Sequence, residues 1–327
     1  MSLTRRAFVA GATACLAAPF LSYGATAPTT RGELVFGYGR TGIGSVLAED
    51  MIALIAQTYD KNRYHLVNLP GDNSLRAVET VKTGDSDGSV LLQAQSPQMT
   101  LLPSIYRSLP YDPLADFRPL AIMGEYTLLL TLGKLVDPEV KTLDGFLEWV
   151  LRNPEYRNLG FTQYGSSGQV AQAIIAHSKE VALQPVAYYG SSMMIDDLRR
   201  GYLSAGLVIA GNSPESYTSG ELRAVAVTSK QRHPGWENVA TCREQGVADM
   251  DINGWYGWFA PASIPDRVYE PLHDAIHSGL ESRDYQQVLA RYSLKPVDLT
   301  PKAIRERIRE EQDYYASMVD SYQIRRV

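Results

Sequence analysis

The chain has 327 residues, with 31 Lys and Arg against 36 Asp and Glu, a formal net charge of −5. That mildly acidic balance argues against nucleic acid as a partner, because nucleic-acid binding favours basic stripes. The length exceeds one typical hydrophobic core, so more than one domain is expected.

The chain opens on Thr4-Arg5-Arg6-Ala7-Phe8-Val9, a twin-arginine export signature. An Ala-rich apolar run follows from Ala10 to Leu21, then the small-x-small site Ala25-Thr26-Ala27. The run is shorter than the roughly 20 residues a spanning helix needs. Residues 1–27 are therefore expected to be a Tat-type signal peptide, cleaved near Ala27, with the product in the periplasm. Cys15 follows Ala12-Thr13-Ala14, which lacks the Leu of a lipoprotein signal. Cleavage would remove Arg5 and Arg6 and no acid, for a net charge of about −7. Cys242 would then be alone, so the cores and not a disulfide must supply stability.

Leu34-Val35-Phe36 predicts a strand, Gly37 to Gly44 a glycine-rich turn, and Ser45 the cap of a helix over 46–55. Strands are expected at His65–Asn68 and Ser89–Leu92, around a helix at Asn73–Lys82. Ala121 to Leu132 predicts a strand that leaves this half. A second cycle follows, with helices at Phe146–Leu151, Gln169–Ala176 and Met193–Arg200. Its strands are Leu159–Phe161, Gln184–Ala187, Gly206–Ala210 and Ala224–Val227. Trp255 to Ala260 runs back to the first half, which helices at Val268–Leu280 and Lys302–Val319 complete. Alternating β and α segments predict α/β layers with parallel strands. The fold class is thus α/β, in two lobes joined by two crossovers. Lobe 1 is 32–130 plus 254–327 and lobe 2 is 131–253. Ligands in such folds bind where strand carboxyl ends face the cleft.

Several segments together carry a family likeness. Pro110-Tyr111-Asp112-Pro113, with Asp116-Phe117 and Pro119-Leu120, fits P-Y-D-P-x-x-D-F-x-P-[VL]. Tyr164-Gly165-Ser166-Ser167-Gly168 fits an N-G-S loop, and Val186-Ala187-Tyr188-Tyr189-Gly190 fits V-P-Y-K-G. Gly220 to Thr228 fits G-K-L-R-A-L-A-V-T, and Trp255 to Ala262 fits W-x-G-x-x-A-P-A. From Gly32 to Val319 the chain resembles the tricarboxylate-transporter receptor proteins, the Bug or TctC family. The resemblance implies a type II periplasmic binding protein that captures a small carboxylate and passes it to an inner-membrane permease. It implies no catalysis, no cofactor and a monomer.

Three loops would hold the ligand. The first, Gly37 to Ser45, offers backbone N–H groups at a helix N-terminus, with Tyr38, Arg40, Thr41, Gly42 and Ser45 as contacts. Where the family has an acid this chain has Ser45, and Arg40 is a candidate bidentate carboxylate grip. The second is Tyr164, Gly165, Ser166, Ser167, Gly168 and Gln169, hydroxyl and amide donors ahead of a helix. The third is Tyr188-Tyr189-Gly190-Ser191-Ser192, with Tyr188 and Tyr189 as contacts, the latter where the family often has Lys. Val208 stands where the family commonly has Asp or Asn. Gln93, Gln95 and Ser96, at the end of the third strand, would add amide donors. The aromatic substitutions suggest a carboxylate with an apolar or aromatic body. Trp255 is a crossover residue, either cleft wall or packing at the lobe junction. His273 and His277, four apart, form a possible metal pair, though that spacing more often marks a solvated helix face. Competing functions are an ABC-type solute-binding protein, a periplasmic sensor component, and a serine hydrolase using Ser166 or Ser167 with His273. The last lacks the G-x-S-x-G spacing.

Overall fold

The computed structural model describes residues 30–326. The export signature, its cleavage site and Cys15 lie outside the described residues. The first cycle is β1 (Thr30–Phe36), α1 (Ile43–Ile55), β2 (Asn62–Asn68), α2 (Leu75–Lys82) and β3 (Val90–Gln95). Two short helices, α3 (Ser96–Thr100) and α4 (Leu102–Ile105), lead to the long strand β4 (Phe117–Leu132). The second cycle is α5 (Leu143–Arg152), β5 (Asn158–Thr162), α6 (Ser167–Ser178), β6 (Gln184–Tyr188) and α7 (Ser191–Arg200). It continues through β7 (Ala205–Ile209), α8 (Pro214–Thr218) and β8 (Arg223–Val227). The chain returns along β9 (Asn253–Pro261) and ends in α9 (Asp266–Leu280), α10 (Arg283–Arg291) and α11 (Pro301–Ser321).

The helices follow from their apolar spacing. In α1, Leu47, Met51, Leu54 and Ile55 recur on one face and are buried. Each such side chain contributes about 1.5–3 kcal/mol on leaving water. β4 is buried along nearly its whole length, because both its faces are covered.

The strand order is β2-β1-β3-β9-β4-β7-β5-β6, with β8 also on β4. β1, β2 and β3 are parallel, as are β5, β6 and β7. The strands within each cycle are parallel, as the α/β pattern predicts, and the crossover strands are not. β9 runs antiparallel to β3 and β4, and β4 runs antiparallel to β7 and β8. One strand leads out of the first half and the other leads back, so side by side they must point in opposite directions. Residues 117–127 of β4 pair with β9, while 128–132 pair with β7 and 129–132 with β8. The β4–β9 register slips near Gly124, whose φ of +148° suits glycine and whose missing side chain admits Leu294 and Leu289. Across the pair, Tyr126 packs against Gly254, where any Cβ would strike its ring and hydroxyl.

Four helices escaped the sequence reading: α3, α4, α8 and α10. The first three have four or five residues, too few for a visible period. α10 follows α9 after only two residues, with Ser282 accepting from the Tyr285 amide as its cap.

Candidate functional site

The carboxyl ends of β1, β3, β5 and β7 meet between the two halves of the sheet. Phe36, Gln95, Thr162 and Ile209 stand at those ends and line one chamber of about 70 Å³. Tyr38, Thr41, Gly42 and Ser45 line it from the β1–α1 loop. Tyr189, Gly190 and Ser191 face them from the β6–α7 loop, with Tyr256 of β9 also in the lining. No Lys, Arg, His, Asp or Glu is among these lining residues.

What the chamber offers instead is backbone. Gly42 is the N-cap of α1 and Gly190 the N-cap of α7, and neither helix has a side-chain cap. Both first turns therefore present N–H groups that no side chain among the described residues has claimed. Ser45 was expected to cap α1. The helix starts earlier, at Ile43, so Ser45 lies within its first turn. Its hydroxyl donates to the Gly39 carbonyl at 2.9 Å and accepts from Asn68 Nδ2 at 2.8 Å. Asn68 also donates to the Tyr38 carbonyl, so the loop is tied to β2. The Tyr38 ring edges the chamber while burial pushes its phenol up to about 12.

Gln95 is held from both sides. Its Nε2 donates to the Tyr126 hydroxyl at 2.7 Å, and its N–H donates to Gln98 Oε1 at 2.6 Å. Gln93 sits deeper and is spent. It donates to the Gly44 carbonyl at 2.6 Å and accepts from Trp258 Nε1 at 3.1 Å, which braces α1 from below. Ser96 accepts the Trp255 N–H at 3.2 Å.

A second chamber, about 630 Å³, adjoins the first through Gly39 and Tyr189. Tyr164, Tyr188 and Tyr189 form one side and 70–73 the other. The Tyr188 hydroxyl donates to Asp197 at 2.9 Å, and burial with Asp197 pushes its phenol up.

The remaining expected residues lie outside both linings. Ser166 accepts the Gln169 N–H at 3.3 Å as the cap of α6. Gln169 Oε1 accepts the Gly165 N–H at 2.6 Å. Ser167 is buried beside the Tyr315 hydroxyl at 3.4 Å. Gly168 lets α6 close on β5, since a Cβ there would lie 2.8 Å from the Phe161 side chain. This loop spends its polar groups on itself. Arg40 is exposed, stands between two lining residues, and makes no hydrogen bond or ion pair among the described residues.

Thr162, Ile209 and Tyr256 line the small chamber without having been picked out as ligand contacts, whereas Ser191 belongs to the third candidate loop. Two of them neighbour a residue that was considered. Trp255 is fully buried and donates to Glu311, whereas Tyr256, one position on, reaches the chamber. Val208 packs with Met194 and Leu198, whereas Ile209 faces the chamber. The available signal was the strand end itself.

The pairing of Ser166 or Ser167 with His273 is not formed among the described residues. His273 hydrogen-bonds Asp274 and its ring lies 4.4 Å from that of His277 on α9. Among the described residues no histidine hydrogen-bonds Ser166 or Ser167. None of the described His, Cys, Asp and Glu residues form a metal-holding group of three or more. Cys242 is buried, which pushes its thiol up to about 12. No helix of the described residues is long and apolar enough to cross a membrane.

Residues 45–323 match TctC, the tripartite tricarboxylate transporter family receptor. Protein BugT of Bordetella pertussis strain Tohama I is 25% identical over 325 residues, 98% of this chain and 98% of that one. The periplasmic binding protein BugD superposes with a TM-score of 0.84 at 19% identity, covering 92% of this chain and 100% of that one. Rpa4515 of R. palustris, solved with adipate, gives 0.85 at 22% identity, covering 92% and 99%. These likenesses make the fold that of a two-lobed periplasmic binding protein with two crossovers.

Proposed function

The chain belongs to the tripartite tricarboxylate transporter receptor family, and on that premise we propose that it captures a small organic carboxylate in the periplasm for a membrane permease. It is exported by the twin-arginine leader and released near Ala27. Its lobes are 32–130 with 254–327, and 131–253. It works as a monomer and performs no chemistry. One observation carries this reading: two uncapped helix N-termini, from opposite halves of the fold, line the same uncharged chamber.

A carboxylate there accepts N–H groups from α1 and α7. Each helix end acts as about half a positive charge. A hydrogen bond to a charged group contributes about 1.5–3 kcal/mol net. A few of these, less the cost of ordering the ligand, give an affinity of about micromolar. Contacts from both lobes exist together only in the closed form, so binding closes the cleft about Thr131 and Gly254. That difference between open and closed forms is what a permease can read.

Calorimetry of the mature chain against mono- and dicarboxylates tests this, with saturable one-to-one binding expected. Ser191→Pro sharpens the test. Proline is tolerated at the first helical position and deletes one amide donor without breaking α7. The affinity should fall about tenfold, the value of one lost charge-assisted bond. Silence from the whole panel, or an unchanged affinity in Ser191→Pro, would refute the amide-pole mechanism.

A further inference from the structure

We propose that the second chamber seats the body of the ligand, and that this body is an aromatic ring carrying no second carboxylate. The proposal rests on the receptor reading above and names its ligand class. Size is the first argument. The small chamber measures about 70 Å³. On this measure one water needs roughly 10–15 Å³, so the space takes about five to seven water-sized groups, enough for a carboxylate and a short stem but not for a ring as well. The rest of the molecule must pass between Gly39 and Tyr189 into the 630 Å³ beyond.

The walls of that larger space are the second argument. Tyr189 is 89% exposed and has no ring partner or hydrogen bond among the described residues. Tyr164 is 53% exposed and is backed edge-on by Phe161, 5.7 Å between centroids. Tyr188 is pinned by Asp197. Large aromatic faces left open in a concavity mark a ligand surface, and rings pair well with rings.

Charge is the third argument. Asp72 is the single charged residue in the two linings among the described residues. A second carboxylate would meet that acid with no cation in either lining to offset it, since Arg40, though next to Gly39, lies outside both. A hydroxyl at the far end of a ring would instead donate to it. The wall bearing Asp72 is also built under strain. Asp72, Asn73 and Ser74 all have φ between 48° and 69°, and Gln163 across the chamber has φ of 60°. Asn73 is fixed by Tyr106 and Ser74 by the Gly37 carbonyl, both at 2.9 Å. Such backbone persists where the surroundings enforce it, which is common at ligand clamps.

The test titrates the mature chain with benzoate, 4-hydroxybenzoate, terephthalate and adipate. The expected order places 4-hydroxybenzoate about tenfold or more ahead of terephthalate and adipate. Tyr189→Ala, at an exposed position that leaves the core untouched, should cost the benzoates about 3–10-fold and adipate less than twofold. Asp72→Asn should raise terephthalate affinity, and Asn tolerates the backbone conformation. If adipate or terephthalate binds tighter than both benzoates, or Tyr189→Ala weakens all ligands alike, the aromatic-body proposal fails and the receptor reading stands. If none of the four binds, the aromatic-body proposal fails, and the wider carboxylate panel above decides the receptor reading.

Discussion

Tyr126→Phe strikes where the chamber meets the outgoing crossover strand. Tyr126 is fully buried, and its hydroxyl accepts from Gln95 Nε2 at 2.7 Å. Phenylalanine keeps the ring against Gly254, so no large cavity opens. The loss is specific: a buried amide N–H of Gln95 is left without its partner, at a cost of about 1–3 kcal/mol. Against a typical total of about 5–15 kcal/mol, that is a visible shift. Burial holds the Tyr126 phenol well above its ordinary range, so the cost should not change across neutral pH. Urea unfolding read by tryptophan fluorescence suits the measurement, because Trp255 and Trp258 lie on the paired strand β9. Gln95→Leu alone leaves the tyrosine hydroxyl short of one donor. The double variant removes both polar ends, and should cost about 1 kcal/mol less than the two singles added together. Strict additivity, or a single-variant cost below about 0.5 kcal/mol, would refute the claim that this bond braces the chamber.

Two further variants test the junction. Gly254→Ala forces a Cβ into the Tyr126 ring and should cost about 1–3 kcal/mol by overpacking, read as a lowered thermal midpoint. An unchanged midpoint would mean that Tyr126 moves aside freely. His233 Nε2 bonds the Ser293 carbonyl at 2.7 Å and so ties the second half to the segment after α10. Burial holds its imidazole below the ordinary value, the Ser293 bond opposing in part. The unfolded chain then binds the extra proton first. This stability is present above about pH 6.5 and is lost as the pH falls below it. His233→Gln should flatten that acid slope in midpoint-against-pH curves; an undiminished slope would assign it elsewhere, with His277, shifted in the same direction by burial, the next candidate.

Much of the architecture was legible because apolar spacing is a local property. Leu47, Met51, Leu54 and Ile55 announce a helix before any partner is known. The antiparallel crossovers were not legible, since strand direction depends on which segments pair across more than a hundred residues, as Tyr126 does with Gly254. The loops at strand ends were also found, because that rule needs only the order of elements. Which residue of each end faces the chamber depends on strand parity. Trp255 and Tyr256, or Val208 and Ile209, differ by one position and point opposite ways.

The polar loops divide on a further point that composition does not encode. Both Gly37–Ser45 and Tyr164–Gln169 hold small residues before a helix, and both offer donors on paper. In the second loop Ser166 and Gln169 consume those donors internally, leaving α6 capped. In the first, Ser45 sits past the cap and spends its hydroxyl on the Gly39 carbonyl, so the amides of α1 stay unclaimed. A helix whose own side chain has already taken the N-terminal site has less to gain from an anion. α1 and α7, lacking that side chain, have more. The difference between a capped turn and an open one here is thus the register of a single serine relative to its helix start.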